Sequence, residues 1–386
     1  MKKLLSIVLV AVMSLTLLVG CGGSAGDGTD ATTWKIGGIG PITGGASVYG
    51  VAVKNGIQIA IDEINAAGGI NGVQIEYNYQ DDEHNEEKAV NAYNTLKDWG
   101  MNILIGNVTS GPCVAVAPLS AEDNIFQLTP SGSSTEIISK GDNVFQVCFT
   151  DPNQGVGSAQ YIGQNALAKN VAVIYNSSDV YSSGIYEKFR EEAANQLFEI
   201  VAETSFTDDS NSDFTVQLQQ AKDAGAELVF LPIYYQEASL ILTQAEAMDY
   251  HPLFFGCDGL DGLLEIDGFD TSLAEGVVLL TPFVADAEDA KTQAFVSTYQ
   301  ERYGEVPNQF AADAYDAVYI IKEAIEASGA VPGDGYSAVC DKLVAAMPTI
   351  TVDGLTGEGM TWLATGEVSK EPKAMVIENG VYTNFQ

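Results

Sequence analysis

Residues 102–112, Asn-Ile-Leu-Ile-Gly-Asn-Val-Thr-Ser-Gly-Pro, constrain the fold of this chain more than any other stretch. Asn102 to Gly106 is a short apolar run rich in β-branched residues, the signature of a strand buried on both faces of a parallel sheet. It ends in Gly106-Asn107, and Thr109-Ser110-Gly111-Pro112 then leads into an Ala/Val-rich segment. A hydroxyl residue followed by glycine and proline opens a helix, with Ser110 expected near the N-cap and Pro112 near the first turn. A strand end that runs into a helix N-terminus presents unpaired N–H groups and the positive end of a dipole, which suits a carboxylate or phosphate. A plain capped helix has the same local sequence, so the stretch gains meaning only from the rest of the chain.

That rest repeats the pattern. Trp34–Ile42 reads as a strand ending at Gly44-Gly45. Val53, Ile57, Ala60, Ile61 and Ile64 then recur at helical spacing until Gly68-Gly69. Val73, Ile75, Tyr77 and Tyr79 alternate as a strand, and a helix with Glu86 and Glu87 in its first turn runs to Trp99. A strand at Ile125–Leu128 ends in Thr129-Pro130-Ser131-Gly132-Ser133-Ser134. After Asp151-Pro152 the pattern restarts, with strands predicted at 171–175, 200–206, 228–233, 253–256 and 277–280 separated by helical segments. Helices follow near 290–303, 310–327 and 336–346. The tail 360–385 is strand-rich, with a hairpin turn at Glu378-Asn379-Gly380-Val381. The order points to an α/β protein with two parallel-sheet units.

The N-terminus carries an address. Lys2 and Lys3 precede an apolar run from Leu4 to Val19, shorter than the ~20 residues of a spanning helix, so residues 1–20 read as an export signal. The run ends Leu18-Val19-Gly20-Cys21, which resembles a bacterial lipobox and implies a lipid on the Cys21 sulfur. Residues 21–33 are Gly/Ser/Ala/Asp/Thr-rich, as a flexible tether is. The formal charge of −35 argues against nucleic acid, because no basic stripe exists to neutralise phosphates. It also leaves Cys21 as the membrane attachment. Cys113, Cys148, Cys257 and Cys340 form no C-x-x-C pair, and the chain is large enough to need no staples, so their pairing stays open.

Ligands of open α/β sheets bind beyond the carboxyl ends of strands. The residues there are Thr43 to Tyr49, Ser110 to Pro112, Ser131 to Ser134, Asp179 to Ser183, Tyr234-Tyr235 and Asp258. Hydroxyls and N–H groups hold a carboxylate, a carboxylate holds an ammonium, and tyrosines wall an apolar side chain. The set fits a free amino acid, and also small amides or sugars; singly, each position also fits a turn or cap. Enzyme signatures are missing. His84 and His251 have no H-x-x-x-H spacing, and His84 among Asp81, Asp82, Glu83 and Glu86 reads better as an acidic helix start than as a metal site. Gly37-Gly38-Ile39-Gly40 lacks the last glycine of a dinucleotide loop, and neither G-x-x-x-x-G-K-[ST] nor G-x-S-x-G occurs.

Asp62-Glu63-Ile64-Asn65-Ala66-Ala67-Gly68-Gly69-Ile70-Asn71-Gly72 resembles the leucine/isoleucine/valine-binding protein family, the branched-chain amino acid type substrate-binding proteins of ABC importers. The resemblance continues through Pro41-Ile42-Thr43-Gly44, Gln80-Asp81-Asp82, Ile105 to Ser110, Leu128 to Ser131, Val171 to Tyr175 and Phe255 to Gly259, in family order. It implies a type I periplasmic binding fold: two Rossmann-like lobes joined by a three-segment hinge, with lobe 1 at 34–151 and 283–352 and lobe 2 at 152–282 and 353–386. It implies a monomer that closes on a free amino acid and docks on an ABC permease in the membrane, with no catalysis, cofactor or metal. Carried over, Ser110, Ser131 and Ser133 hold the ligand carboxylate, and Tyr181 and Tyr234 close over it. Asp258 meets the ammonium, where relatives often have Glu, and Tyr49 flanks the side-chain pocket. Serine at 131, where alanine is common, and the shorter acid leave the ligand's identity open. A sensory module reporting an amino acid or small amide to a signalling partner uses the same fold.

Overall fold

The computed structural model describes residues 32–385. The expected export signal, Cys21 and nearly all of the 21–33 tether lie outside the described residues.

The first sheet is built from β1 (Trp34–Gly40), β2 (Ile75–Asp81), β3 (Ile103–Gly106), β4 (Phe126–Thr129) and β5 (Val144–Gln146), in the order β2-β1-β3-β4-β5 and parallel throughout. Between the strands run α1 (Ser47–Ala66), α2 (Glu86–Trp99), α3 (Ser110–Asp123) and the short α4 (Thr135–Ile138). β3 is buried at every position, as its uninterrupted apolar run requires. The Asn85 side chain accepts the Lys88 N–H to cap α2, and Gly100 ends it at φ +84.

Then α5 (Asp151–Gln164) begins the second unit. Its sheet holds β6 (Asn170–Asn176), β7 (Glu199–Phe206), β8 (Leu228–Leu231), β9 (Leu253–Gly256) and β10 (Val278–Thr281), with α6 (Val180–Ala193), α7 (Thr215–Asp223) and α8 (Tyr235–Ala247) between strands. The chain returns to the first sheet for α9 (Ala290–Tyr303), α10 (Gln309–Ser328) and α11 (Tyr336–Ala346). There α10 packs along α1 and α11 against β4. Finally β11 (Lys373–Glu378) and β12 (Val381–Asn384) complete the second sheet, ordered β12-β11-β10-β9-β8-β6-β7 and antiparallel only at β10-β11-β12. Asn379 and Gly380 both have positive φ, +55 and +73, as the two central residues of a type I′ hairpin turn need.

Two lobes with parallel-dominated sheets are therefore what the alternation predicted. Two local readings change. Thr109, not Ser110, is the N-cap of α3. The expected strand character of the tail begins only at Lys373: residues 352–368 form isolated bridges, Val352 with Met360 and Trp362 with Val368. The chain after 352 enters the second sheet at β11. Over 353–370 it is held to the first unit: Trp362 Nε1 donates to Gln146 O at 2.9 Å, the Leu355 and Thr356 N–H groups donate to Asp316, and Lys370 Nζ pairs with Asp313 at 2.7 Å.

Candidate functional site

The register of the first sheet sets the site. β1 pairs Gly40 with Asp81 and Ile39 with Gly106, so the turns after β1, β3 and β4 open on one edge. The turns after β6, β8 and β9 do the same on the second sheet. These two edges face each other. Between them lies a cavity of about 10 Å³, close to what a single water needs. Tyr49, Ser110, Ser131, Tyr181, Tyr234 and Asp258 line it, six of the seven residues singled out from sequence. The lobes are closed on each other here.

On the first-lobe wall, Thr109 leaves the first turn of α3 without a side-chain cap. Its Oγ1 instead meets His84 Nδ1 at 2.8 Å, so the α3 N-terminus faces the cavity at Thr109 and Ser110 without a side-chain cap. Ser110 Oγ accepts the Ser133 and Ser134 N–H groups, both at 3.3 Å, which leaves its own proton free to donate outward. Ser131 Oγ donates to Val108 O at 2.7 Å. Ser133 stands behind this wall: its carbonyl accepts the Asp151 N–H at 3.0 Å, and its hydroxyl is buried without a partner.

The opposite wall is organised by Asp258, which is 4% exposed. Tyr181 O–H donates to its Oδ1 at 2.7 Å, and the Gly259 N–H donates to the Tyr181 oxygen at 2.9 Å. Gln154 Oε1 accepts the Asp258 N–H at 3.1 Å, and Gln309 Nε2 donates to its carbonyl at 2.9 Å. Burial pushes the Asp258 carboxyl up to about 7, against the pull of Tyr181 and Gln154. No cation faces it among the lining residues. An ammonium arriving there meets a carboxylate that only a proton or a cation can satisfy.

Aromatic rings close the space. Tyr181 and Tyr234 stack at 4.8 Å between centroids, and Tyr49 meets Phe310 at 4.2 Å and Tyr235 edge-on at 4.8 Å. Tyr49 is also a latch: its hydroxyl donates to Gly259 O and accepts the Tyr235 N–H, joining the two lobes. Phe310, from the first turn of α10, lines the cavity and was not singled out from sequence, nor were Gln154 and Gln309, which hold Asp258 in place. Asp151, at the start of α5, is buried with both carboxylate oxygens unpartnered, and burial holds its carboxyl well above the usual range. His84 packs its ring edge-on to Tyr234 at 5.4 Å. Cys113, Cys148, Cys257 and Cys340 are all unpaired and buried.

A family model described as periplasmic binding protein matches residues 33–380. Among relatives, the Leu/Ile/Val-binding protein homolog 3 of Brucella melitensis biotype 1 is 29% identical over 336 residues, covering 86% of this chain and 88% of that protein. The leucine-, isoleucine-, valine-, threonine-, and alanine-binding protein of Pseudomonas aeruginosa is 28% identical over 78% of this chain and 79% of its own length. Among solved structures, the leucine binding protein LivK of Thermotoga maritima superposes with a TM-score of 0.82 at 27% identity, over 92% of this chain and 98% of that one. LivJ of Streptococcus pneumoniae in complex with isoleucine gives 0.82 at 30% identity, over 91% and 97%. With two facing sheet edges, a closed cleft and this similarity along nearly the whole described chain, the protein belongs to the leucine/isoleucine/valine-binding family of periplasmic binding proteins, extracytoplasmic solute-binding partners of ABC transporters and not enzymes.

Proposed function

We propose that this protein captures a free apolar amino acid, of the branched-chain class, in the interlobe cleft and delivers it to a membrane permease. The observation that carries the reading is the polarity of the cavity: a helix N-terminus with Ser110 on one wall and the desolvated Asp258 on the other. A zwitterion matches both ends at once, carboxylate to the first lobe and ammonium to the second. Tyr49, Tyr181, Tyr234 and Phe310 supply apolar faces for its side chain. Ser131 lines the same wall and can donate to the carboxylate only by releasing Val108 O, to which its hydroxyl proton is committed in this closed form. Ser133 supports the wall through Ser110. The ligand-free closure leaves room for about one water, so an amino acid enters the open form and holds the walls farther apart than they stand here. Because it touches both lobes only as they close on it, its differential affinity shifts the open–closed equilibrium. The names of relatives that bind leucine, isoleucine and valine support the ligand class.

Under this reading a monomer is tethered to the cell membrane by a lipid on Cys21, and the closed form is what the permease recognises. The lobes run from 34 to 151 with 283–370, and from 152 to 282 with 371–385, the later third crossing resting on the hydrogen bonds that tie 353–370 to β5 and α10.

The test is a thermal-shift comparison of leucine, isoleucine and valine with leucinamide, which lacks the carboxylate, and 4-methylpentanoate, which lacks the ammonium. A ligand at 100 times its Kd adds about 2.7 kcal/mol of stability. The amino acids are expected to raise Tm and both truncated analogues to leave it unmoved. Equal stabilisation by either analogue overturns the reading.

A further inference from the structure

A second cavity, of about 580 Å³, lies beside the cleft and shares no lining residue with it. Gln309 stands between the two: its N–H donates to Asp261 Oδ2 at 2.9 Å, while its side chain holds the Asp258 carbonyl. One wall comes from α9 and the 305–308 linker, which pack with the first sheet. The other comes from the 261–265 turn and the β11–β12 hairpin of the second, with Phe283 of the second crossing between them. The volume is that of a small-molecule pocket.

Its lining has two characters. Leu264, Phe283, Val296, Val306 and Val381 form an apolar body. Val306 and Val381, 51% and 56% exposed, are two of the few large hydrophobic side chains left open to solvent among the described residues, and both face this one cavity. The charged groups are all acidic, Asp261 and Glu265 inside and Asp286 and Glu305 at the exposed rim; Thr281, Gln300, Asn308 and Tyr382 add neutral polar atoms, and no Lys, Arg or His is among the lining residues. Asp261 is 4% exposed; its Oδ1 makes no direct hydrogen bond, and the donor beside the carboxyl is the neutral Tyr382 hydroxyl, also of the lining. Glu265 is met only by the neutral Asn308 amide, at 3.1 and 3.2 Å. A buried carboxylate oxygen left unpaired beside an apolar wall costs free energy that an entering cation recovers.

We propose that this cavity is a second ligand site, taking a small organic cation with an apolar body, such as an aryl- or alkylammonium. Its ammonium sits between Asp261 and Glu265 and its body lies on Phe283, Val296 and Val306. Burial already holds the Glu265 carboxyl at about 8 and that of Asp261 at about 6, as expected of acids with no cationic neighbour. With walls from both lobes, an occupied site resists any motion that parts them.

The experiment titrates 2-phenylethylammonium into the intact protein by calorimetry, with 2-phenylethanol as the uncharged isostere. Saturable one-to-one binding is expected, weakened by about tenfold or more in Asp261→Asn/Glu265→Gln and in the exposed rim variant Val306→Lys, which places a like charge at the mouth. The same binding is expected to persist in Asp258→Asn. No saturable binding, equally tight 2-phenylethanol, or loss of binding in Asp258→Asn, which would put the amine in the main cleft, each overturns the proposal. None of these results depends on which amino acid the cleft takes.

Discussion

Asp258 concentrates the account at the scale of single residues. It stands at the tip of β9, followed by Gly259, whose N–H is committed to the Tyr181 oxygen. A Cβ at Gly259 would come within 2.7 Å of both Ile233 O and the Tyr181 oxygen, so the turn that aims Asp258 needs glycine there. Asp258→Ala is expected to weaken binding of the native amino acid by about 2–5 kcal/mol, because it strands a desolvated ammonium. Calorimetry checks this, and unchanged affinity would remove the ammonium assignment. Residues at strand ends were legible because parallel sheets gather those ends, and only six of the seven had to meet for the cleft to be recognised. Phe310 was not legible: it opens a helix with an apolar face, where an aromatic reads as core. Gln154 and Gln309 were hidden because an amide that holds a backbone carbonyl or N–H leaves no spacing pattern.

Among the elements, α1 and α10 matter most to the site. Gly56 lies where they cross, and a Cβ there would sit 2.1 Å from the Ala311 carbonyl, one residue from Phe310. Gly56→Ala must push α10 away, at a cost of about 1–3 kcal/mol. It is expected to lower the denaturant midpoint and to weaken ligand binding as well, through Phe310; stability and affinity at wild-type levels would contradict the packing described. The 353–370 segment depends on the buried Lys370–Asp313 pair, each side chain 2% exposed. Lys370→Met leaves Asp313 uncompensated, so a loss of about 3–5 kcal/mol is expected in equilibrium unfolding. Long elements were easy to read from sequence: 290–303 and 336–346 match α9 and α11 at both ends. Short ones were not. β5 has only three residues, too few for alternation to show, and α4 has four. The stretch 353–370 is held by groups distant in sequence, the Asp313 and Asp316 side chains and the Gln146 backbone carbonyl, so its place could not be read from its own residues.

For the whole molecule, closing the lobes buries acids that an open cleft would leave in water. Burial raises Asp258 and Asp179 to about 7, and raises Asp151 as well. A carboxyl whose closed-state value lies above its ordinary one binds protons more tightly when closed. Lowering the pH from 8 through 7 toward 5 therefore favours closure of the ligand-free protein, and the ligand's ammonium does at neutral pH what the proton does in acid. Small-angle scattering is expected to show the ligand-free radius of gyration falling over that range, with a smaller change in Asp258→Asn. A radius independent of pH would contradict this. The two-lobe plan was legible from the strand–helix alternation alone, whereas the closure was not, because it depends on contacts such as Tyr49 with Gly259 and Tyr235 that span the lobes.

The most direct measurement is a crystal structure of the protein with leucine bound. The expected electron density places the leucine carboxylate at the α3 N-terminus against Ser110, its ammonium on Asp258, and its side chain among Tyr49, Tyr181, Tyr234 and Phe310. Leucine bound in the reverse orientation, or outside the cleft, would contradict it.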